Sequence, residues 1–152
     1  MSKAHLEKPE FSRPLLVDRV PRKGSHEVFK ADAKECAALA KRFNIPNLFT
    51  LSARMFAAPW RGGGLKVTGT VEADIEQLSV ISLEAFRTLS KFEVERYFLQ
   101  SKDLTDGAEE DADPIINGEI DLGSIVAEAL GLELDPYPRK PGESFSSPAT
   151  EN

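Results

Sequence analysis

The feature that most constrains the fold is a strictly alternating segment at residues 65–77. Charged and hydroxyl-bearing side chains occupy every second position from Lys66 to Glu76, and apolar or small residues fill the positions between them. Successive side chains of a β-strand point to opposite faces, so the pattern predicts a long strand with one buried face and one solvated face. Such strands are typical of antiparallel sheets. The apolar set is Leu65, Val67, Gly69, Val71, Ala73 and Ile75.

Two further segments predict strands beside this one. Residues 48–57 are apolar and rich in residue types that favour strands. Residues 88–99 alternate in the same way as residues 65–77. Short connections make an antiparallel meander the simplest topology. The faces expected to be buried carry Phe49, Leu51, Ala53 and Met55 in the first segment and Phe92, Val94 and Phe98 in the second, and shorter strands are expected at 15–17, 26–29 and 114–116.

A first helix is predicted at about residues 32–43. Asp32 and Glu35 have the spacing of a capping box, in which each side chain accepts a hydrogen bond from the backbone of the other residue. Asn44 and Pro46 are expected to end the helix. Its apolar face contains Ala33, Cys36, Ala37, Leu39, Ala40 and Phe43.

A second helix is predicted at about residues 121–131. Asp121 is expected to cap its start, Gly131 to end it, and Gly118 to lie in the preceding turn. The apolar face would hold Leu122, Ile125, Val126 and Ala129. The chain is therefore expected to be an α+β protein, in which an antiparallel β-meander sheet packs with two main helices.

The length of 152 residues favours a single domain, expected over residues 11–140. Residues 1–10 and 141–152 are predicted to be disordered, and the acidic segment 101–113 to form a mobile loop. No run of residues approaches the ~20 apolar residues that a membrane span needs. The first residues lack the apolar core of a signal peptide, so a cytoplasmic protein is expected.

Charge is distributed unevenly along the chain, whose net charge is −6. Residues 1–66 contain 13 Lys and Arg against 6 Asp and Glu, whereas residues 67–152 contain 6 against 19. This asymmetry indicates a polar partner on one face of the protein. It is equally expected if the two halves neutralise each other in the folded chain.

Six residues are predicted to contact a nucleic acid or a protein partner. Cations in the N-terminal part of the chain can contact phosphates without a fixed geometry. Trp60 and Arg61 begin a glycine-rich loop and fit base stacking or a protein contact. That loop lacks the Lys-Ser/Thr pair of a phosphate-binding P-loop. The predicted contact residues are Arg13, Arg19, Arg22, Lys23, Trp60 and Arg61.

The chemistry of the sequence predicts no catalytic residue, no metal and no cofactor. The two histidines, His5 and His26, have no Cys or His at ligand spacing. The single cysteine, Cys36, is expected to be a buried structural thiol in a reducing compartment. One enzymatic alternative is a metal-assisted hydrolase, although a solvated acidic loop is the simpler interpretation of the residues it would use. Those residues are Glu109, Glu110, Asp111 and Asp113.

Two segments in a defined order carry a resemblance to a known family. One reads VTGTVEADIEQ at residues 67–77 and is followed by SVISLE, and the other reads GEIDLGSIVAE at residues 118–128. Their order and spacing resemble the YceD family, the large ribosomal RNA subunit accumulation proteins. FSRP at residues 11–14 is similar to the alphaproteobacterial branch of that family. The resemblance covers about residues 11–143.

The resemblance implies a role in the production or stability of large-subunit ribosomal RNA (rRNA) in the bacterial cytosol. It implies large-subunit rRNA or a ribosomal protein as the partner, with no membrane and no DNA partner, and it supplies no catalytic residues. An interaction scaffold without RNA contact is a further alternative. Many relatives carry cysteines where this chain has Ser79 and Ser82, and serine hydroxyls are poor zinc ligands. A metal role is therefore not expected here.

Overall fold

The computed structural model describes residues 10–100, 103 and 112–142. Within these residues the chain forms seven strands, two α-helices and a short 3-10 helix at Val17–Arg19. The strands are β1 (Pro14–Leu16), β2 (Ser25–Lys30), β3 (Asn47–Trp60), β4 (Gly64–Leu78), β5 (Ala85–Leu99), β6 (Ala112–Pro114) and β7 (Glu119–Asp121), and the helices are α1 (Ala33–Phe43) and α2 (Leu122–Glu133). Most of the predicted disordered ends and most of the predicted acidic loop lie outside the described residues.

The main sheet has the strand order β2-β3-β4-β5-β6. β3, β4 and β5 form the predicted antiparallel meander, and β2 pairs antiparallel with β3 although α1 separates them in sequence. Two features of the pairing were not predicted. β6 pairs in parallel with the end of β5, and β1 and β7 form a separate antiparallel pair. The strand expected at 114–116 is β6, which ends at Pro114. The next residue, Ile115, is buried, and Ile116 instead forms an isolated bridge with Glu119 across the Asn117–Gly118 turn.

One face of the main sheet forms the hydrophobic core with both helices and the β1–β7 pair. Alternate residues of β3 and β4, such as Leu51 and Val71, are fully buried there with Leu39 of α1 and Val126 and Leu130 of α2. The alternation predicted for β4 is therefore confirmed. The other face of the sheet carries no helix among the described residues, and we call it the open face.

The caps predicted for both helices are confirmed. The Asp32 side chain accepts a hydrogen bond from the Glu35 N–H, and Glu35 accepts one from the Asp32 N–H at 2.9 Å. Asn44 ends α1 in the left-handed conformation. Asp121 accepts hydrogen bonds from the N–H groups of Gly123 and Ser124, at 3.0 and 3.2 Å.

The prediction that Phe49 lies on the buried face of β3 is wrong. The register between β3 and β4 shifts between Leu48 and Thr50, so Leu48 is buried and Phe49 is 39% exposed. Because side chains alternate with a period of two, one extra residue moves the following side chains to the other face. The guanidinium of Arg87 lies over the Phe49 ring, 4.0 Å from its centroid.

The prediction that Gly131 ends the second helix is also wrong. α2 continues to Glu133, and Leu134 leaves the helix with an extended backbone two residues before Pro136. Gly131 instead allows a close approach between the helices, since a Cβ at this position would lie 2.7 Å from a ring carbon of Phe43.

Candidate nucleic-acid interface

The β3–β4 hairpin places two of the predicted contact residues beside an aromatic partner. Trp60 is the last residue of β3, and its ring centroid lies 4.7 Å from that of Tyr97 on β5. The guanidinium of Arg61 lies 4.9 Å from the Trp60 ring, and the ammonium of Lys66 lies 5.7 Å from the Tyr97 ring. The strand between the two rings carries Gly64 opposite Trp60, so no side chain at that position separates them. We call these four residues, Trp60, Arg61, Lys66 and Tyr97, the hairpin cluster.

A carboxylate bounds the hairpin cluster on its β5 side. The Tyr97 hydroxyl donates a short hydrogen bond to Glu95, whose carboxylate also lies 3.8 Å from the Lys66 ammonium. That hydrogen bond, together with burial and the charge of Glu95, raises the pKa of Tyr97 above its usual value. A phosphate placed beside the hairpin cluster would therefore be attracted by Arg61 and Lys66 and repelled by Glu95.

A second aromatic pair lies nearby on the open face. His26 of β2 is paired in register with Phe56 of β3, and the two ring centroids are 4.7 Å apart. Sequence reasoning considered His26 only as a metal ligand and did not consider Phe56. The pair becomes visible only when the register between β2 and β3 is known, because the two residues are far apart in sequence.

The turn before β2 brings two predicted cations close to this pair. Gly24 donates its N–H to the Pro21 carbonyl at 2.8 Å, and it has a positive φ of 95°. A Cβ at Gly24 would lie 2.3 Å from the Phe56 ring, so the turn folds directly against that ring. Arg22 and Lys23 are exposed within this turn. Arg19 is exposed at the end of the 3-10 helix, two residues before Pro21.

Arg13 lies apart from the other predicted contact residues. Its guanidinium donates to both carboxylate oxygens of Glu35, at 2.8 and 2.9 Å, and to the carbonyl of Lys30 at 3.0 Å. Lys30 pairs with Ser52, which is eight residues from Trp60 along β3, or roughly 26 Å at about 3.3 Å per residue. Arg13 therefore links elements of the fold, and its contact with a partner remains a prediction.

The acidic cluster considered for a metal-assisted hydrolase is described only in part. Glu109, Glu110 and Asp111 lie outside the described residues. Asp113 accepts hydrogen bonds from Arg96 at 2.5 and 3.2 Å, and Arg96 also donates to Glu128 at 3.2 Å. Burial opposes the charge of Arg96, but these two carboxylates raise its pKa on balance. In the part of the chain that the structure covers, no three His, Cys, Asp or Glu residues are grouped so that they could hold a metal ion.

Ser79, Ser82 and Cys36 have side chains that are hydrogen-bonded to the backbone or buried within the fold. Ser79 is fully buried, and its hydroxyl accepts hydrogen bonds from the N–H groups of Ile81 and Ser82 at 3.0 and 3.2 Å. The Ser82 hydroxyl accepts one from the Glu84 N–H. Cys36 is buried as predicted, and burial raises the pKa of its thiol.

The fold and this surface define an α+β protein whose sheet presents aromatic and basic side chains on the open face, which no helix of the described residues covers. The family model for the large ribosomal RNA subunit accumulation protein YceD matches residues 67–151. Because this match covers more than half of the chain, the protein belongs to the YceD family. No curated protein and no solved structure was found to be similar to it.

Family membership connects the chain with the accumulation of large-subunit rRNA, and the family description names no reaction. The matched residues begin within β4 and include Tyr97, whereas Trp60, Arg61, His26 and Phe56 precede them. Neither α1 nor α2, the α-helices of the described residues, has the length and apolar character of a membrane span.

Proposed function

We propose that this protein supports the accumulation of large-subunit rRNA without catalysis, by binding RNA at the hairpin cluster. The observation that carries the proposal is the pairing of Trp60 and Tyr97 on the open face of the sheet, with Arg61 and Lys66 beside the rings. Stacking of a base on an aromatic side chain contributes about 1–3 kcal/mol and tolerates any sequence. The cations add an attraction to phosphates that weakens as salt is added.

Arg61 has a double role in this proposal. In the free protein its guanidinium covers the Trp60 ring. A base that stacks on Trp60 takes the place of the guanidinium, which then pairs with a phosphate. A bound RNA segment is shielded from cleavage and from incorrect pairing, so binding alone raises the amount of RNA that survives. We assign this activity to a single cytoplasmic domain over residues 11–140.

The test uses Trp60, the only tryptophan of the chain, as a reporter. Single-stranded fragments of large-subunit rRNA are titrated against the protein, and Trp60 fluorescence and the anisotropy of labelled RNA are both followed. We expect saturable quenching, and we expect Arg61→Gln to lower the slope of log affinity against log salt by about 0.7. The matched control is Lys34→Gln, which removes an exposed cation from α1 and is expected to leave binding unchanged.

Absence of quenching and of an anisotropy change at low salt would refute RNA binding at this surface and would favour a scaffold without RNA contact. Equal salt slopes for Arg61→Gln and Lys34→Gln would show that RNA binds elsewhere on the protein.

A second candidate partner, a basic ribosomal protein, is favoured by a groove beside the same rings. Trp60 and Tyr97 line it together with Leu132, which is 89% exposed. It also contains the carboxylates of Glu95, Asp113 and Glu128 against one cation, Arg96, so carboxylates outnumber cations there. Such a surface fits an arginine- or lysine-rich segment. Capture of ribosomal proteins that is lost in Glu128→Gln, from lysate treated with ribonuclease, would support this partner. Capture equal to that of the unaltered protein would exclude this groove.

A further inference from the structure

Each of the two aromatic pairs of the open face has one member on β3. Phe56 and Trp60 are both on β3, four residues apart, and their side chains point to the same face. At about 3.3 Å per residue, the two positions are roughly 13 Å apart. His26 extends the Phe56 pair towards β2, and Tyr97 extends the Trp60 pair towards β5. The open face therefore carries two separate aromatic surfaces along β3.

The sheet surface between these two pairs carries a small side chain on β3 and polar side chains on β4. Ala58 lies between Phe56 and Trp60 on β3, and its methyl group leaves space above the strand. On β4, Lys66 pairs with Ala58 and Thr68 pairs with Phe56. An ammonium and a hydroxyl thus lie next to the path that joins the two pairs, where they can contact phosphates or ribose hydroxyls.

Charge on the open face is divided between the strands. No open-face position of β2 or β3 carries a carboxylate in the described structure, and these positions include His26, Val28, Lys30, Thr50, Ser52, Arg54, Phe56, Ala58 and Trp60. The open-face carboxylates lie on β4 and β5, at Glu72, Asp74, Glu76, Glu93 and Glu95. We call the first set the β2–β3 strip.

Arg54 lies two residues beyond Phe56 on the β2–β3 strip. Its guanidinium makes no hydrogen bond or ion pair with any residue that the structure describes. Val28, its partner on β2, is 74% exposed and adds an apolar surface. In contrast, Arg87 and Lys91 on β5 face Asp74 and Glu72, at 2.8 and 3.7 Å. Arg54 is therefore a cation of the β2–β3 strip that an anionic ligand can reach.

We infer that the β2–β3 strip binds a single-stranded RNA segment that runs along β3, with bases stacked at the hairpin cluster and at a second site formed by His26 and Phe56. This inference rests on the proposed function and adds a second stacking site and the strandedness of the ligand. Arg54 contacts a phosphate beyond the second site. Arg22 and Lys23, in the turn against Phe56, flank the same part of the path.

The use of two stacking sites favours a single strand over a duplex as the ligand. Bases in a duplex stack on each other and present only their edges, whereas unpaired bases can place their faces on aromatic side chains. A distance of about 13 Å corresponds to roughly four nucleotides at the 3.4 Å rise of a stacked strand, and to fewer in an extended strand. A dinucleotide can therefore occupy one site, while an octanucleotide can reach both.

The test compares a dinucleotide with an octanucleotide of the same base composition, using Trp60 fluorescence. Because each stacked base contributes a factor of roughly 5 to 150 in affinity, we expect the octanucleotide to bind more tightly by at least that lower factor. His26→Ala should remove most of this gain and leave dinucleotide affinity unchanged. His26 is exposed, and an unchanged thermal midpoint would show that the variant is folded. A duplex of the octanucleotide should bind more weakly than the single strand.

The outcomes separate this inference from the proposed function. Dinucleotide binding with no gain for the octanucleotide, or a gain that His26→Ala leaves intact, would overturn the second site and leave the hairpin cluster standing. Equal affinity for the duplex would overturn the single-stranded path. No quenching by any oligonucleotide at low salt would overturn the proposed function and this inference together. Arg54→Gln provides a second variant, and it should lower the salt slope for the octanucleotide by about 0.7.

Discussion

Replacing Arg13 with glutamine tests whether this arginine stabilises the fold or contacts RNA. Its guanidinium forms a two-point ion pair with Glu35 and donates to the carbonyls of Ser12 and Lys30, at 2.7 and 3.0 Å. It also lies 4.8 Å from the centroid of the Phe11 ring. Glutamine is neutral and shorter, so Arg13→Gln loses the ion pair and the contact between the cation and the ring.

The expected loss of stability is moderate because the ion pair is partly solvated. The side chains of Arg13 and Glu35 are 33% and 21% exposed. An ion pair in such a position is worth about 1 kcal/mol after solvent screening, at the upper end for exposed pairs because it is bidentate. The cation over the Phe11 ring adds about 0.5–1 kcal/mol. We therefore expect Arg13→Gln to lower the free energy of unfolding by about 2 kcal/mol, or the thermal midpoint by about 4–8 °C.

The loss of stability in Arg13→Gln should be larger at neutral pH than in acid. The hydrogen bond from Arg13 lowers the pKa of Glu35 below its usual value, despite burial that acts in the opposite direction. A carboxylate with a lowered pKa in the folded state contributes stability above its unfolded pKa of about 4.3 and loses that contribution as the pH falls through the folded value. The difference between the unaltered protein and Arg13→Gln should be full at neutral pH and shrink in acid.

Urea denaturation at neutral pH and at about pH 3 measures both effects. Arg13→Lys retains the charge without the two-point geometry and should be intermediate in stability. A double-mutant cycle with Glu35→Gln should give a coupling of about 1 kcal/mol. An unchanged midpoint for Arg13→Gln, or a difference that is the same at both pH values, would refute the structural role. Unchanged stability with weaker RNA binding would make Arg13 a contact residue.

Three further changes test other contacts. Gly131→Ala should destabilise the protein by about 1–2 kcal/mol in urea, because the new methyl group meets the Phe43 ring, and a raised midpoint would show that the ring yields freely. Glu95→Gln should return the pKa of Tyr97 towards its usual value in an ultraviolet absorbance titration, whereas no change would mean that their hydrogen bond is absent in solution. Asp121→Ala should cost about 2 kcal/mol in urea, since this carboxylate caps α2 and also binds the N-terminal segment, and a loss below about 0.5 kcal/mol would contradict that role.

The sequence was sufficient to predict helices and strands that are determined by residues close together in the chain. The capping box of Asp32 and Glu35 needs only a spacing of three, and the alternation of β4 needs only neighbouring positions. Phe49 was misplaced because a bulge depends on the partner strand, which a single segment does not describe. Gly131 was misread because the Phe43 ring that it accommodates belongs to the other helix.

The candidate site shows the same limit. Trp60 and Arg61 were predicted from their residue types and the loop around them, but their partner Tyr97 required the alignment of three strands. The pair of His26 and Phe56 depends on the register of β2 and was missed for that reason. The positive charge of an arginine does not by itself show whether it contacts a ligand or stabilises the fold. Arg13 was predicted to contact a partner, but its guanidinium binds Glu35 and the Lys30 carbonyl within the protein.

The β1–β7 pair has a consequence for how the chain reaches its folded state during synthesis. The Arg13 N–H bonds to Asp121, 108 positions later, and the Leu122 N–H bonds back to the Arg13 carbonyl. At about 5–20 residues per second, the ribosome makes β1 roughly 5–20 s before β7. During that interval Phe11, which is buried in the finished core, has no β7 or α2 to pack against. β1 is therefore synthesised well before β7, and the backbone pairing that holds β1 in place cannot form until β7 has been translated.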